Sequence, residues 1–198
     1  RSELDTLLCF SADRPMRILI LGGSLGAAPL NALLPQVVSV LQEHDAAGAV
    51  TIWQQCGQRN RSEADAAWAS SPFQDRRCDD FIDDIASAYA WADIVIARAG
   101  ALTISELART GTPSILIPLP HAIDDHQTAN ARVLAEHGAA VLMPQTTATP
   151  EAVADLLLRW MASPNALGDM SRSACEAAAV NATTRVVAVL EGVAHANA

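Results

Sequence analysis

The sequence predicts an α/β fold, a doubly wound parallel sheet of about six strands with helices on both faces. Short apolar runs typical of buried strands alternate with longer segments of helical character along the whole chain. The links between them are short, and several carry glycine where a strand gives way to a helix. Such regular alternation favours parallel strands joined by right-handed crossovers.

Six segments are predicted as strands: 17–21, 50–55, a short one near 77–78, 93–97, 114–117 and 140–143. Most are nearly continuous runs of Ile, Leu, Val and Ala, as expected when both faces of a parallel sheet are covered. Strand 50–55 ends in Gln54 and Gln55, before Gly57.

Helices are predicted after each strand, at about 29–44, 61–69, 85–91, 100–109, 127–137 and from 151 onward. Pro29 suits the first turn of the first helix, because proline lacks the N–H that would be unpaired there. Pro72, Gly111 and the pair Ser163 and Pro164 interrupt helices.

Composition describes a globular chain and excludes several classes of protein. The 198 residues are 51% apolar and 18% charged, enough for one sizeable core. A net charge of −9 with no lysine argues against a nucleic-acid surface. No apolar run approaches the roughly 20 residues that cross a bilayer, and no signal peptide opens the chain.

The four cysteines show no C-x-x-C motif and no zinc spacing. We interpret Cys9, Cys56, Cys78 and Cys175 as reduced thiols of a cytoplasmic protein, with Cys56 and Cys78 on strands.

The segment from 93 to 106 carries the strongest functional signal. Gly100 stands where a buried strand gives way to a helix, and Glu106 lies within the first turns of that helix. Unpaired N–H groups at a helix start suit a phosphate. A carboxylate one turn further on can accept hydrogen bonds from both hydroxyls of a ribose. The pattern therefore predicts a nucleotide site.

Two further loops leave strands at the same predicted edge. In residues 22–27, glycines permit close backbone approach to a ligand and Ser24 offers a hydroxyl, but a tight turn without ligand fits equally well. In residues 79–84, Asp83 or Asp84 can cap the next helix, whereas the backbone of Ile82 could meet the edge of a nucleobase. The sequence leaves both alternatives open.

The loop from 118 to 127 holds His121, Asp124, Asp125 and His126, which could be drawn as a metal cluster. Helix capping by the aspartates and exposed histidines is the favoured interpretation, because all four lie on one loop. Gln127 and Asn130, at helical spacing, are better candidates to hydrogen-bond sugar hydroxyls.

Four motifs occur together in family order: residues 22–27, 81–84, 98–106, and 125–127 with 130–131. Their combination resembles the carboxyl-terminal half of the MurG family of peptidoglycan N-acetylglucosaminyltransferases, over nearly the whole chain. The resemblance implies the second Rossmann-like domain of a GT-B enzyme, with residues 1–15 as a linker remnant and 16–198 as the UDP-sugar-binding domain. The amino-terminal acceptor domain would be absent from this chain.

The resemblance also implies residue roles. Ile82 would recognise uracil through its main chain, and Glu106 would bind the ribose hydroxyls. Ser24 would contact the phosphates, Gln127 would hold the amino sugar, and Arg1 would be the arginine at the end of the linker. The start of the helix would face the diphosphate, and the residues that form it are Ala101, Leu102, Thr103, Ile104 and Ser105.

For the whole enzyme, the resemblance implies transfer of N-acetylglucosamine from UDP-N-acetylglucosamine to lipid I, which gives lipid II, at the cytoplasmic face of the inner membrane. It implies no cofactor and no metal. Lipid I and the membrane would contact the absent domain, and no general base is assigned in this chain. We therefore expect donor binding without transfer by this chain alone.

Three alternatives remain. The chain could be the catalytic half of a split glycosyltransferase, or a non-catalytic nucleotide-sugar sensor. A nicotinamide-dependent oxidoreductase is disfavoured, because no acidic residue closes a strand about 20 residues after the glycine loop.

Overall fold

The computed structural model describes residues 13–22, 27–120 and 125–178, and within them six parallel strands form one sheet in the order β3-β2-β1-β4-β5-β6. The strands are β1 (Met16–Leu21), β2 (Val50–Gln55), β3 (Arg76–Asp79), β4 (Ile94–Ala97), β5 (Ser114–Leu116) and β6 (Ala140–Leu142). This confirms the predicted doubly wound sheet.

Six helices alternate with the strands, as the sequence predicted. They are α1 (Ala28–Glu43), α2 (Arg61–Ala69), α3 (Ile85–Trp91), α4 (Ala101–Thr110), α5 (His126–Ala135) and α6 (Pro150–Ala162). A further helical stretch covers residues 164–178. Short 3₁₀ turns precede β2 and α2.

The direction of winding reverses between β1 and β4. The chain builds β1, β2 and β3 outward on one side, then returns to pair β4 with β1 before continuing to β5 and β6. In open α/β sheets the carboxyl ends of strands at such a switch point form the ligand crevice. The carboxyl ends of β1 and β4 and the start of α4 lie at this switch point.

Both faces of the sheet are buried, which explains the continuous apolar runs of its central strands. In β1, Ile18 and Ile20 join the core beneath α1 and α6, whereas Leu19 and Leu21 join the core beneath α3 and α4. Successive side chains of a strand point to opposite faces, so one short strand serves both cores.

An ion pair fixes the amino-terminal edge of the sheet. Both terminal nitrogens of Arg14 donate to the carboxylate of Asp93, at 2.6 and 2.7 Å. Asp93 is 2% exposed and also accepts from the backbone N–H of Arg17 at 2.8 Å. The buried carboxylate is thus neutralised inside the chain.

Two half-buried tryptophans lie on the face of the sheet near the β3 edge. The rings of Trp53 and Trp91 meet edge to face, 5.5 Å between centroids at 82°. Arg77 lies 4.2 Å over Trp53, whose indole N–H donates to Asp79 at 2.7 Å. This hydrogen bond links β2 to the end of β3, directly before the β3–α3 loop.

The cysteine predictions agree in outline with the fold. Cys78 lies in β3, Cys56 directly follows β2, and both thiols are free. Burial raises the pKa of Cys56, and it raises the pKa of Cys78 to about 12. Cys9 lies outside the described residues. Within residues 13–22, 27–120 and 125–178, no helix combines the length and apolar composition needed to cross a membrane.

Candidate functional site

The start of α4 lies open at the carboxyl end of β4. Its N-cap is Gly100, which contributes no side-chain hydrogen bond, and the first turn contains no acidic residue. Leu102 is 73% exposed, and Ala101 is exposed beside it. First-turn N–H groups in this position, with the partial positive charge of a helix start, can bind an anion.

Glu106 lies on α4 and is fixed by a residue of α3. The phenol of Tyr89 donates to Oε2 of Glu106 at 2.9 Å. Tyr89 is 2% exposed, and burial, followed by the charge of Glu106, raises the pKa of its phenol. The phenol therefore stays protonated at neutral pH, while half-buried Glu106 keeps oxygens that can accept hydrogen bonds.

Ile82 lies in the β3–α3 loop, 5% exposed, in the same apolar cluster as Tyr89 and Ile104. Its backbone N–H donates to Oε1 of Gln55 at 3.2 Å. The next helix is capped by Asp84, whose side chain accepts from Ser87, so the capping alternative for the aspartate pair is confirmed. Capping does not exclude a role of the Ile82 backbone.

Gln127, on α5, braces the chain just before α4. Its Oε1 accepts from the N–H of Ala99 at 3.2 Å and from that of Leu119 at 2.9 Å. The amide of Asn130 donates to the carbonyl of Ala99 at 3.1 Å. The two side chains bind the two peptide units that flank Ala99, and the NH₂ group is the part of Gln127 that can donate to a ligand.

Arg98 is a buried cation directly after β4, 7% exposed. Nη1 donates to the carbonyls of Ile117 and Pro118, both at 3.0 Å, and Nη2 donates to Gln145 at 2.7 Å. Its Nε has no partner among the described residues. Burial lowers the pKa of this guanidinium, which nevertheless stays charged at neutral pH. Its acceptors are neutral, so a positive charge remains beside the α4 start.

Several predicted residues lie outside the described ones: Arg1, Ser24 with its neighbours 23–26, His121 and Asp124. Asp125 occupies the N-cap position of α5, but its side chain makes no capping bond and its φ is 50°. Among the described residues no group of three or more His, Cys, Asp and Glu is arranged to hold a metal ion.

The sequence analysis assigned no role to three residues at this site: Gln55, Tyr89 and Arg98. Tyr89 is the only tyrosine of the chain, placed on a predicted helix among apolar residues. A phenol in such a position usually finds a hydrogen-bond partner, which was the available signal. Arg98 had a comparable signal, a charged residue at the end of an apolar strand.

A family model for the glycosyltransferase family 28 C-terminal domain matches residues 17–186. Among similar proteins is the UDP-N-acetylglucosamine–N-acetylmuramyl-(pentapeptide) pyrophosphoryl-undecaprenol N-acetylglucosamine transferase of Tolumonas auensis, 42% identical over 178 residues. The protein of the same name from Shewanella amazonensis is 46% identical over 181 residues. The matches cover 90% of this chain but 48% and 49% of those relatives, so the chain spans about half their length.

Solved structures agree with the family match. The crystal structure of Acinetobacter baumannii MurG has a TM-score of 0.76 and 41% identity, covering 92% of this chain and 53% of that one. A UDP-GlcNAc 2-epimerase from Neisseria meningitidis has a TM-score of 0.60 over 91% of this chain and 45% of that one. At 10% identity the epimerase shows the fold alone.

The matched region runs from the second residue of β1 past the end of α6 and includes every described residue of the site. The resemblance drawn from the four motifs is confirmed. This chain is a member of the family of glycosyltransferase 28 C-terminal domains.

Proposed function

We propose that this chain is the donor-binding half of an inverting glycosyltransferase and binds UDP-N-acetylglucosamine. The whole enzyme would transfer N-acetylglucosamine to the undecaprenyl-linked muramoyl-pentapeptide, converting lipid I to lipid II. Support comes from relatives that are named as that transferase and are 42% and 46% identical to this chain. The half-length match means that acceptor binding is proposed for the other half of the enzyme.

The observation that carries the proposal is the open start of α4 with Glu106 behind it. Gly100 leaves the first-turn N–H groups of α4 without a side-chain cap, which suits the diphosphate. Glu106, less than two turns along the same helix, suits the ribose diol. One ten-residue helix would therefore hold both the charged and the sugar parts of the nucleotide.

Uracil would be read by the backbone of Ile82. The N–H of Ile82 donates to Gln55, so the N–H could bind the base only after the Gln55 side chain turns away. The carbonyl of Ile82 requires no such change. We propose that the Gln55 side chain accepts from Ile82 until a uridine nucleotide binds, and that the base then displaces it.

Departure of UDP requires stabilisation of negative charge on the diphosphate. The α4 start and the buried guanidinium of Arg98 would provide it without a metal ion. Ser24 and Arg1 are proposed as further donor contacts and Gln127 as the contact to the amino sugar, all on the family resemblance. The general base, the lipid I contacts and attachment to the cytoplasmic face of the inner membrane are proposed for the other half of the enzyme.

Calorimetric titration of the chain with UDP-N-acetylglucosamine, UDP-glucose, NAD and CMP tests the donor assignment. We expect UDP-N-acetylglucosamine to bind most tightly, UDP-glucose more weakly, and neither NAD nor CMP to bind measurably. Preferential binding of NAD would instead support the oxidoreductase alternative.

Lipid II synthesis is the second readout, because it separates donor binding from complete catalysis. We expect the chain alone to form no lipid II from UDP-N-acetylglucosamine and lipid I. Synthesis at full rate by the chain alone would contradict the assignment of the general base to the other half. If the chain also stayed inactive with the other half of a relative supplied, a nucleotide-sugar sensor would be favoured.

A further inference from the structure

We propose that Tyr89 is a positioning residue that holds the Glu106 carboxylate in place for a ribose diol, and thereby sets the preference for ribonucleotides over deoxyribonucleotides. The inference rests on the proposed function, since it concerns the same nucleotide site. It assigns a role in ligand selection to a residue that would not touch the ligand.

The first observation is the direct contact between two helices. Tyr89 is on α3 and Glu106 is on α4, and the phenol donates to Oε2 of Glu106 at 2.9 Å. Tyr89 is 2% exposed, whereas Glu106 is half-buried and keeps part of its surface accessible. The carboxylate is therefore fixed from the protein side and approachable from the ligand side.

The second observation is the direction of the hydrogen bond. Burial and the nearby charge of Glu106 raise the pKa of the phenol, so Tyr89 keeps its proton and acts as the donor. One lone pair of Oε2 is then occupied. Oε1 and the remaining lone pairs can accept from two adjacent hydroxyl groups, which is the demand that a 2′,3′-diol makes.

The third observation is where α3 begins. Asp84 caps α3 two residues after Ile82, and Tyr89 lies less than two turns further along that helix. Ile82 and Tyr89 belong to one apolar cluster together with Ile104 of α4. The proposed base contact and the residue that orients the ribose contact are thus carried by one short, capped segment, which fixes the distance between them.

The test is the ratio of affinities for UDP and 2′-deoxy-UDP in the wild-type chain and in Tyr89→Phe, measured by calorimetry. Phenylalanine keeps the ring in the core and removes only the phenol oxygen. We expect the wild type to prefer UDP by at least about tenfold, because a hydroxyl bonded to a carboxylate is lost in the deoxy ligand. In Tyr89→Phe this preference should fall about three- to tenfold, with little change for 2′-deoxy-UDP.

Ser87→Ala is the matched control. It removes a hydroxyl that donates to a carboxylate on the same helix, Ser87 Oγ to Asp84 at 2.5 Å, but that bond does not reach Glu106. The ratio should stay at the wild-type value in this variant. In a Glu106→Ala background, adding Tyr89→Phe should leave the ratio unchanged, since the acceptor that Tyr89 orients is already gone.

The outcomes separate the two proposals. If Tyr89→Phe weakened both ligands equally, or left the ratio unchanged, Tyr89 would have a structural role only and the inference would be overturned. If Tyr89→Phe did not fold, the same ratio would be measured in Tyr89→Leu, which also lacks a donor and adds no volume to the core. If the wild type bound neither ligand, or bound both equally, the nucleotide site or its ribose contact would fail, and the inference with it.

Discussion

Helices α3 and α4 pack on the same face of the sheet, follow consecutive strands of the chain, and begin in opposite ways. Asp84 closes the start of α3, accepting from the backbone N–H of Ser87 at 3.0 Å. The N-cap of α4 is Gly100, which contributes no side-chain bond. A side-chain cap thus satisfies a first-turn amide group of α3, whereas α4, like α1, α2 and α5, has no such cap and its first-turn amide groups can bind a ligand.

Adding an acidic cap to the start of α4, like the Asp84 cap of α3, should have the largest effect on UDP affinity. The φ and ψ of Gly100 are −63° and 148°, which any residue adopts, and an added Cβ would meet only Thr103 Oγ1 at 3.9 Å. Gly100→Asp would cap the helix and place a negative charge at its start. We expect UDP affinity, measured by calorimetry, to fall by about 3 kcal/mol, without loss of thermal stability.

Gly100→Ala is the control for this variant, because it adds the Cβ without a charge or a cap. It should change UDP affinity by less than about 0.5 kcal/mol. Wild-type affinity in Gly100→Asp would remove the start of α4 from the proposed phosphate site.

Removing the carboxylate of α4 should have the next largest effect. Glu106→Ala should weaken UDP binding by about 2–3 kcal/mol, since a charge-assisted contact to the diol is lost. Calorimetry with UDP measures the change. Glu151→Ala, which removes a carboxylate from the first turn of α6, should leave UDP affinity unchanged. Equal affinities of Glu106→Ala and wild type would exclude Glu106 from the site.

The contacts of Gln127 with the backbone before α4 allow a test of sugar recognition. In Gln127→Glu an oxygen can still accept from Ala99 and Leu119, but the NH₂ group is lost. We expect binding of UDP-N-acetylglucosamine to weaken by about 1 kcal/mol more than binding of UDP, measured by parallel titrations. Asn130→Asp, a like change one turn along α5, should weaken the two ligands equally. If Gln127→Glu did the same, Gln127 would brace the backbone without contacting the sugar.

Removing the Asp84 cap of α3 should have the smallest effect on UDP binding but a measurable effect on thermal stability. Asp84→Ala should lower the melting temperature by about 2–4 °C at neutral pH, with UDP affinity nearly unchanged. Hydrogen bonds from the hydroxyl and backbone N–H of Ser87 lower the pKa of Asp84. Its stabilising contribution is therefore present at neutral pH and disappears as the pH falls through that lowered value.

Calorimetric melting from neutral to acidic pH checks the direction of this pH dependence. The difference between wild type and Asp84→Ala should shrink on acidification, and a difference that grew would contradict the capping role. A marked loss of UDP affinity in Asp84→Ala would show that the start of α3 also contributes to ligand binding.

The central strands could be predicted from sequence because both of their faces are buried, which leaves continuous apolar runs, whereas the edge strand β3 has no such run. Boundary differences are small and local. Ile117, predicted as strand, follows β5 but still donates to Ala97 at 2.9 Å. Helix α5 ends at Ala135, before the predicted 137, and Gly138 then takes a φ of 73° while donating to Ala135.

The geometry of the candidate site follows from the sequence where it depends on one helix, but not where it depends on how helices pack. Gly100 and Glu106 lie on one helix, so their relation follows from helical geometry. The contact between Tyr89 and Glu106 depends on how α3 and α4 approach each other, which no spacing in the sequence specifies. The same holds for Gln127, whose carbonyl oxygen serves Ala99, 28 positions earlier in the chain.

The Trp53–Trp91 contact has an optical consequence. Two indoles 5.5 Å apart in an edge-to-face arrangement couple their electronic transitions and give a circular dichroism signal that isolated indoles lack. Because Trp53 is bonded to Asp79, just before the loop that carries Ile82, movement of that loop would change the signal. The fold thus carries its own chromophore beside the proposed base-binding loop, and ligand-induced rearrangement there can be followed without a label.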